Sequence, residues 1–275
     1  MTKAKFNGFN RRKRRRFPSP IAIQRARELV EELCIDSPAD IDLELIAAHR
    51  RACILTGGLD NEVARLVRGR RRHIIRICDD LRESLRARFY IAHELGHLEL
   101  HPELDQIKSC SEGDMRAYFN DGREPEANRF AAELLMPKKL FEPRCRHDQP
   151  SLDDLESLAQ DFRTSRISAG IQFIQYCTEP CALVFSKQGR VSWATRSSRF
   201  EFFVDSGRRL QPSEGGTYAA DLFRGASVPN KPMPVEASNW SDHREADGRD
   251  VFEHSTAWRD NDGICVLSLL RDRGE

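Results

Sequence analysis

Two histidines and a glutamate in the pattern His-Glu-Leu-Gly-His, residues 93–97, are the side chains of this sequence best suited to metal chemistry. A helix turns once in about 3.6 residues, so His93 and His97 lie one turn apart on one face, and their imidazoles can converge on a single ion. Glu94 can then reach the open side of that ion and take a proton from a water bound to it. The pattern therefore predicts Zn²⁺ as cofactor, with His93 and His97 as ligands and Glu94 as catalytic base.

The surrounding sequence predicts the helix that must carry this pattern. Residues 88–92 lead in with an apolar side, and Pro102 ends the helix after Leu100 and His101. We expect the helix to run from about Leu81 to His101. His101 lies one further turn along from His97, and we interpret it as a helix-terminal residue or one that contacts a ligand, not as a ligand itself.

Catalytic zinc usually has three protein ligands and a water, so the two histidines leave one position to fill. A second patterned helix begins near Glu124, and its apolar stripe comprises Ala127, Phe130, Ala131, Leu134 and Leu135. Glu124 points with that stripe, where a carboxylate is costly unless it is paired or bound to metal. We therefore expect Glu124 to be the third ligand, and the alternative is an N-cap role ahead of Pro125. The outer face is expected to carry Glu126, Arg129 and Glu133.

These two segments resemble the ImmA/IrrE family of zinc metallopeptidases. The resemblance rests on HELGH with Arg88-Phe89 before it and Leu100-His101 after it, and on Glu-x-x-x-Asn-x-Phe-Ala-Ala-x-Leu-Leu-Met-Pro from Glu124 onward. It implies metal ligands at His93, His97 and Glu124 and a catalytic glutamate at Glu94. It further implies an endopeptidase that cleaves a helix-turn-helix transcriptional repressor and so switches on stress or mobile-element genes. Pro125, directly after the third ligand, is a local departure that restricts the backbone of Glu124.

Composition excludes several classes of protein. The chain has 275 residues, 39% of them hydrophobic and 32% charged, which is enough to bury the cores of two ordinary domains. No run of 18 apolar residues is present, so we expect no membrane span, and the basic N-terminus lacks the apolar stretch of a secretory signal. The 8 cysteines include no Cys-x-x-Cys pair, and we interpret them as reduced thiols of a cytoplasmic protein.

Positive charge is concentrated in the first part of the chain. Residues 1–100 hold 21 lysines and arginines against 14 acidic residues. Residues 101–275 hold 23 lysines and arginines against 29 acidic residues. The excess comes from Arg11–Arg16, in a tail without acidic residues, and from Arg70–Arg72, between two expected strands. Either cluster could contact nucleic acid or an acidic partner; the alternative is a solvated tail and a solvated loop, which we prefer for the loop. The tail also supports a rival function, a DNA-binding transcriptional regulator whose zinc site is structural or vestigial.

The expected fold class is α+β. We expect a disordered basic tail over 1–16, a zincin-like metallopeptidase domain with a small β-sheet over 17–148, a helix-turn-helix-like helical pair over 149–178, and a small α+β domain over 179–275 that senses a ligand or docks a substrate. We interpret the pair as packing on the catalytic core and not as a DNA reader. The weaker site candidates are Tyr90, Tyr118 and His147 for the oxyanion, while His243 and His254 are expected to be ordinary surface or partly buried histidines.

The individual elements follow from periodicity and turn signals. The expected helices are Ile21–Leu33, Asp40–His49, a short piece near Met115–Phe119 in an otherwise looped 102–123, Ser168–Tyr176 and Tyr218–Phe223, with a further helix opening at Ser151. The expected strands are Glu62–Val67, His73–Cys78, Cys181–Ser186, Val191–Arg196, Glu201–Val204 and Ile264–Leu270, with a hairpin turn at 260–263.

Overall fold

A computed structural model of the chain is α+β, with one mixed four-stranded sheet and one antiparallel five-stranded sheet. The structure describes residues 20–59, 62–81, 84–103, 107–110, 122–212 and 215–272. The basic cluster Arg11–Arg16, the expected helical piece near Met115–Phe119 and the candidate Tyr118 lie outside the described residues.

Helices α1 (Pro20–Glu32) and α2 (Leu43–His49) come first. Helix α1 buries Ala22, Ala26, Leu29 and Val30, whereas Ile21 is 72% exposed. Helix α2 begins later than the expected Asp40, because the carboxylate of Asp42 accepts hydrogen bonds from the N–H groups of Glu44 and Leu45 and so caps the first turn. Asp40 instead ends a short 3-10 turn, Pro38–Asp40.

The first sheet contains strands β1 (Ala52–Thr56), β2 (Ala64–Val67), β3 (His73–Ile77) and β4 (Ile107–Cys110) in the order β1-β3-β2-β4. Strand β1 runs parallel to β3, and β2 runs antiparallel to both β3 and β4. Strands β2 and β3 were expected. Strands β1 and β4 were not, because each is a short segment without the alternation that marks a half-buried strand.

Helix α3 (Leu85–Leu100) carries the His-Glu-Leu-Gly-His pattern, and α4 (Arg123–Leu135) packs along it and along α1. Helix α3 begins later than expected because the hydroxyl of Ser84 accepts from the N–H of Ala87 and caps it. Asp79–Leu81, upstream, forms a 3-10 turn. The short helix α5 (Lys138–Phe141) follows α4 after Pro137.

Helices α6 (Leu152–Asp161) and α7 (Arg166–Tyr176) form the expected helical pair. The hydroxyl of Thr164, between them, contacts the sulfur of Met136 at the end of α4, and the Gln172 amide lies within 3.5 Å of the Met136 carbonyl. One buried apolar cluster extends from these helices to Leu183, Leu267 and Leu269 of the second sheet. The pair therefore packs on the core, as expected, and its aliphatic residues join α4 to that sheet.

The second sheet has strands β5 (Cys181–Lys187), β6 (Arg190–Arg196), β7 (Met233–Glu236), β8 (Asp250–Asp260) and β9 (Gly263–Asp272) in the order β6-β5-β9-β8-β7. Helix α8 (Tyr218–Phe223) and the hairpin turn at 260–263 match the expectation. The expected strand Glu201–Val204 is wrong, because Phe200 and Phe202 are buried against each other in irregular backbone, with ring centroids 4.5 Å apart. Strands β7 and β8 were not expected.

The structure also bears on the membrane expectation and on the state of the cysteines. Within the described ranges, no helix combines the length and the apolar character that crossing a bilayer requires. Seven cysteines are free thiols: Cys34, Cys53, Cys78, Cys145, Cys177, Cys181 and Cys265.

Candidate metal centre

Helices α3 and α4 bring three potential metal ligands together. His93 and His97 place their Nε2 atoms 3.0 Å apart. Oε2 of Glu124, in the first turn of α4, lies 3.2 Å from each of these nitrogens. Both histidine side chains are fully buried, whereas the Glu124 side chain is 19% exposed. The cluster is therefore enclosed by the helices and reaches solvent at the carboxylate.

The spacing of these atoms fits a tetrahedral zinc ion. Bonds of about 2.0–2.1 Å at tetrahedral angles separate ligand atoms by about 3.3 Å, close to the separations found here. Two imidazoles and one carboxylate are also a ligand set of catalytic zinc, which keeps a fourth position open. In the part of the chain that the structure describes, no other three histidine, cysteine, aspartate or glutamate side chains bring their ligand atoms close enough together to share one ion.

The N-cap alternative for Glu124 is wrong. Gly122 occupies the N-cap of α4, and Glu124 lies inside the first turn. Pro125 follows in the same turn, where the N–H group that proline lacks would have no partner within the helix. The departure at Pro125 is therefore compatible with a helical Glu124.

Gly96 allows α3 and α4 to approach closely. A Cβ atom at this position would lie 3.1 Å from both Cα and O of Ala127 and 3.2 Å from a ring carbon of Phe130. Two of these contacts are with backbone, which cannot yield unless α4 moves. Gly96 thus fixes the separation of the two helices and with it the position of Glu124.

Asn128 is the partner of His93. Its Oδ1 atom lies 2.8 Å from Nδ1 of His93, and both side chains are fully buried. An amide oxygen accepts the proton of Nδ1, which leaves the lone pair of Nε2 for the metal. Sequence reasoning did not assign this role to Asn128. The available signal was an amide placed one turn after Glu124 in an otherwise apolar stripe.

His101 is the partner of His97. The two Nδ1 atoms are 3.0 Å apart, and Nε2 of His101 lies 3.0 Å from Oε2 of Glu126. His101 is 4% exposed and is the C-cap of α3. The expectation that His101 is a helix-terminal residue is confirmed, and His101 contacts His97, the candidate ligand one turn before it. The contact from Glu126 was not expected, although its half-exposed side chain does lie toward the outside of α4.

Glu133 does not lie on the outer face of α4, contrary to expectation. It is 2% exposed, and its carboxylate accepts hydrogen bonds from Nε of Arg27 at 2.8 Å, from the Lys138 N–H at 3.0 Å and from the Tyr176 hydroxyl at 3.3 Å. Helix α4 packs against both α3 and α1, and Tyr176 of α7 also reaches Glu133, so a division into one buried and one outer face fails at this position.

The electrostatics of the site favour neutral imidazole. Burial lowers the pKa of His97 to about 4, so its ring is uncharged near neutral pH and can donate a lone pair. Arg68 donates from Nη2 to the carbonyl oxygens of His97 at 2.7 Å and His101 at 3.0 Å. This guanidinium holds the last turn of α3, where a cation is also favoured by the helix dipole.

The weaker candidates lie in varied surroundings. Tyr90 is buried on α3, one turn before Glu94. His147 contacts the Arg144 carbonyl and Asp154, outside the ligand cluster. His254, expected at the surface or partly buried, is 2% exposed, and its Nδ1 accepts from the Leu152 N–H. Arg70–Arg72 are exposed in the β2–β3 connection, as a solvated loop would be.

Comparison with known proteins adds a family and a fold. The family model described as IrrE N-terminal-like domain, Peptidase_M78, matches residues 54–172, a range that contains all three candidate ligands and Glu94. Among solved structures, a Mycobacterium tuberculosis transcriptional regulator has a similar fold, with a TM-score of 0.57 at 16% sequence identity over 93% of this chain and 89% of that one. No curated protein matches the chain.

Proposed function

Residues 54–172 form a domain of the ImmA/IrrE metallopeptidase family, and from this premise we propose that the chain is a zinc-dependent endopeptidase. The observation that carries the proposal is the convergence of His93, His97 and Glu124 on one point, with the buried Glu94 next to His93 in α3. A purely structural zinc site is closed by four protein ligands, whereas three ligands leave room for a reacting group.

Each residue of the site has a separate role in the proposed reaction. Zinc bound here supplies a Lewis acid and activates water near neutral pH. Glu94 accepts a proton from the attacking water and passes it to the leaving amine nitrogen. His93 and His97 direct their Nε2 atoms toward the metal because their Nδ1 atoms face Asn128 and His101. Tyr90 is the candidate of this chain for stabilising the oxyanion.

The proposed substrate is a helix-turn-helix transcriptional repressor, cut at an exposed linker. A peptidase without narrow specificity would damage other proteins of the cytoplasm, the compartment that the free thiols favour. Docking of a folded partner away from the metal, on the region 179–275, would position the scissile carbonyl by remote binding energy. Casein and short generic peptides should then remain uncut, and removal of the docking region should abolish cleavage.

A second candidate function is a DNA-binding transcriptional regulator whose zinc site is structural or vestigial. Two observations favour it: the solved structure of similar fold is titled a transcriptional regulator, and Arg11–Arg16 form a cationic cluster. Under this hypothesis, deletion of residues 1–16 should flatten the salt dependence of DNA binding. An unchanged dependence of DNA affinity on salt concentration would indicate that the tail is solvated and does not contact DNA.

Replacement of the base distinguishes the two functions. Glu94→Gln should retain zinc but lose cleavage of a co-encoded repressor and the regulatory effect that follows. His93→Ala, His97→Ala and Glu124→Ala should each lose zinc, measured by atomic spectroscopy on the purified chain. Glu28→Gln, at an exposed carboxylate of α1, is the matched control. A Glu94→Gln protein that keeps its full regulatory effect would reject the peptidase and favour the regulator.

A further inference from the structure

We propose that His101 and Glu126 form a positioning relay for His97, in which Glu126 orients His101 and His101 orients the ligand ring. Neither residue belongs to the three metal ligands. The inference rests on the proposed metal site. It gives a role to His101, a third buried histidine that lies one turn after His97 on α3.

The order of protons in the relay follows from the atoms that face each other. A carboxylate is an acceptor, so Nε2 of His101, which lies 3.0 Å from Oε2 of Glu126, carries the proton of a neutral ring. Nδ1 of His101 then carries no proton, so it can only accept a hydrogen bond. Nδ1 of His97, 3.0 Å away, is therefore the donor, and Nε2 of His97 keeps its lone pair. One carboxylate thus sets the tautomer of two rings in succession.

The surroundings of the relay restrict the rings to this arrangement. His101 is 4% exposed, and its ring centroid lies 5.1 Å from that of His97. The N–H of His101 donates to the His97 carbonyl, and Nη2 of Arg68 donates to the carbonyls of both histidines. The last turn of α3 is therefore held from its backbone as well as from its side chains.

The relay also connects the two helices that bind the metal. Glu126 follows the ligand Glu124 by two residues on α4, while His101 follows His97 by one turn on α3. The contact from Glu126 to His101 thus ties α4 to α3 without the metal. The two ligand histidines differ in their support, since His93 has a neutral amide, Asn128, and His97 has a histidine backed by a carboxylate.

Zinc affinity and the spectrum of bound cobalt test the relay in the full-length chain. Glu126→Ala and His101→Phe should each lower the affinity for Zn²⁺ by about 10–100-fold in competition with a chelating dye. Both should change the visible absorption of the Co²⁺-loaded protein, because the orientation of His97 changes. Glu126→Gln should restore most of the affinity, since its amide oxygen still accepts from Nε2 of His101. The double variant should bind no more weakly than His101→Phe alone, because the two residues act in series.

The chain offers a matched control pair. Nε2 of His49 lies 2.8 Å from Oε1 of Glu32, and neither of these side chains contacts a metal ligand. His49→Phe and Glu32→Ala should leave Zn²⁺ affinity and the Co²⁺ spectrum unchanged. If His101→Phe fails to fold, Glu126→Ala at its half-exposed site carries the test alone.

The outcomes separate the relay from the metal site. Unchanged affinity and spectrum in Glu126→Ala, with zinc lost in Glu124→Ala, would overturn the relay and leave the proposed function standing. Additive losses in the double variant would also overturn it. A wild-type chain that binds neither Zn²⁺ nor Co²⁺ would overturn the metal site and the relay together.

Discussion

The amide oxygen of Asn128 lies 2.8 Å from Nδ1 of His93. Both side chains are fully buried, so water cannot readily replace either partner. The contact crosses the same helix interface that brings Glu124 to the two imidazoles. It gives the His93 ring one tautomer and one orientation.

Loss of this acceptor should weaken metal binding without removing a ligand. Asn128→Ala is expected to lower Zn²⁺ affinity by about 10–100-fold, because the His93 ring becomes free to rotate and change tautomer. Asn128→Asp keeps an acceptor for Nδ1 of His93, so its Zn²⁺ affinity should fall much less. Competition with a chelating dye measures both. Gln172→Ala, at another buried amide, is the control, and an equal loss there would indicate a general effect of cavity formation.

Gly96→Ala should lower metal affinity through the separation of α3 and α4. The added Cβ would lie 3.1 Å from the backbone of Ala127, so α4 must shift and carry Glu124 with it. Alanine favours a helix by about 1 kcal/mol over glycine, and overpacking costs about 1–3 kcal/mol, so these two contributions to folding stability partly cancel.

We therefore expect weaker Zn²⁺ binding with little change in the melting temperature of the metal-free protein. Gly170→Ala is the control, since its Cβ would lie 2.7 Å from a side-chain carbon of Leu183 in the sheet. Undiminished zinc binding in Gly96→Ala would contradict the role of Gly96.

The clustering of His93, His97 and Glu124 was predictable because the position of each residue rests on a local rule. The spacing of His93 and His97 fixes them on one helical face, and the apolar stripe of α4 indicates the side to which Glu124 points. Their supporting residues depend on a second helix. Nothing within α3 indicates that His101 meets Glu126, and nothing within α4 indicates that Asn128 meets His93.

The errors of prediction have related physical causes. Glu133 was expected at the surface because a carboxylate off the apolar stripe is normally solvated, but α1 supplies Arg27 to pair with it. The segment Glu201–Val204 is rich in strand-forming residues, yet Phe202 packs against its neighbour Phe200 in irregular backbone. Strand β8, whose ends are polar, is held by pairing with β9 and β7 and not by its own periodicity. Such partners are set by tertiary structure.

Glu133→Ala should destabilise the fold without changing the metal site. The substitution removes the acceptor of Arg27, of the Tyr176 hydroxyl and of the Lys138 N–H. Leaving these groups without a partner is expected to lower the free energy of unfolding by about 1–3 kcal/mol. Urea unfolding measures the loss, and zinc stoichiometry should stay at the wild-type value. Glu142→Ala, at an exposed carboxylate 3.7 Å from Lys138, is the control and should change stability little. A lowered zinc content in folded Glu133→Ala would contradict this separation.

The buried carboxyl of Glu253 on β8 should make stability depend on pH. Glu253 is 1% exposed, and burial raises its pKa to about 7, although hydrogen bonds from Ser255, Ala219 and Tyr218 oppose the rise. Below about pH 4.5 the carboxyl is protonated in both the folded and the unfolded chain, and its contribution to stability is fully present. Between about pH 4.5 and 7 the unfolded chain loses the proton while the folded chain keeps it, so stability falls as pH rises. Above this window the contribution is constant.

Glu253→Gln removes this titration. The wild type should lose up to about 3 kcal/mol across the window relative to the variant, since one pKa unit corresponds to about 1.4 kcal/mol. Urea unfolding from pH 4.5 to 8 tests this as a difference in slope between the two proteins, so titration of the metal ligands, common to both, cancels. Absolute stability is not the criterion, because the glutamine amide cannot accept all three hydrogen bonds. Glu245→Gln, at an exposed carboxyl of the same region, should reproduce the wild-type slope. Parallel pH profiles for wild type and Glu253→Gln would show that Glu253 is ionised in the fold throughout, held by its three donors despite its burial.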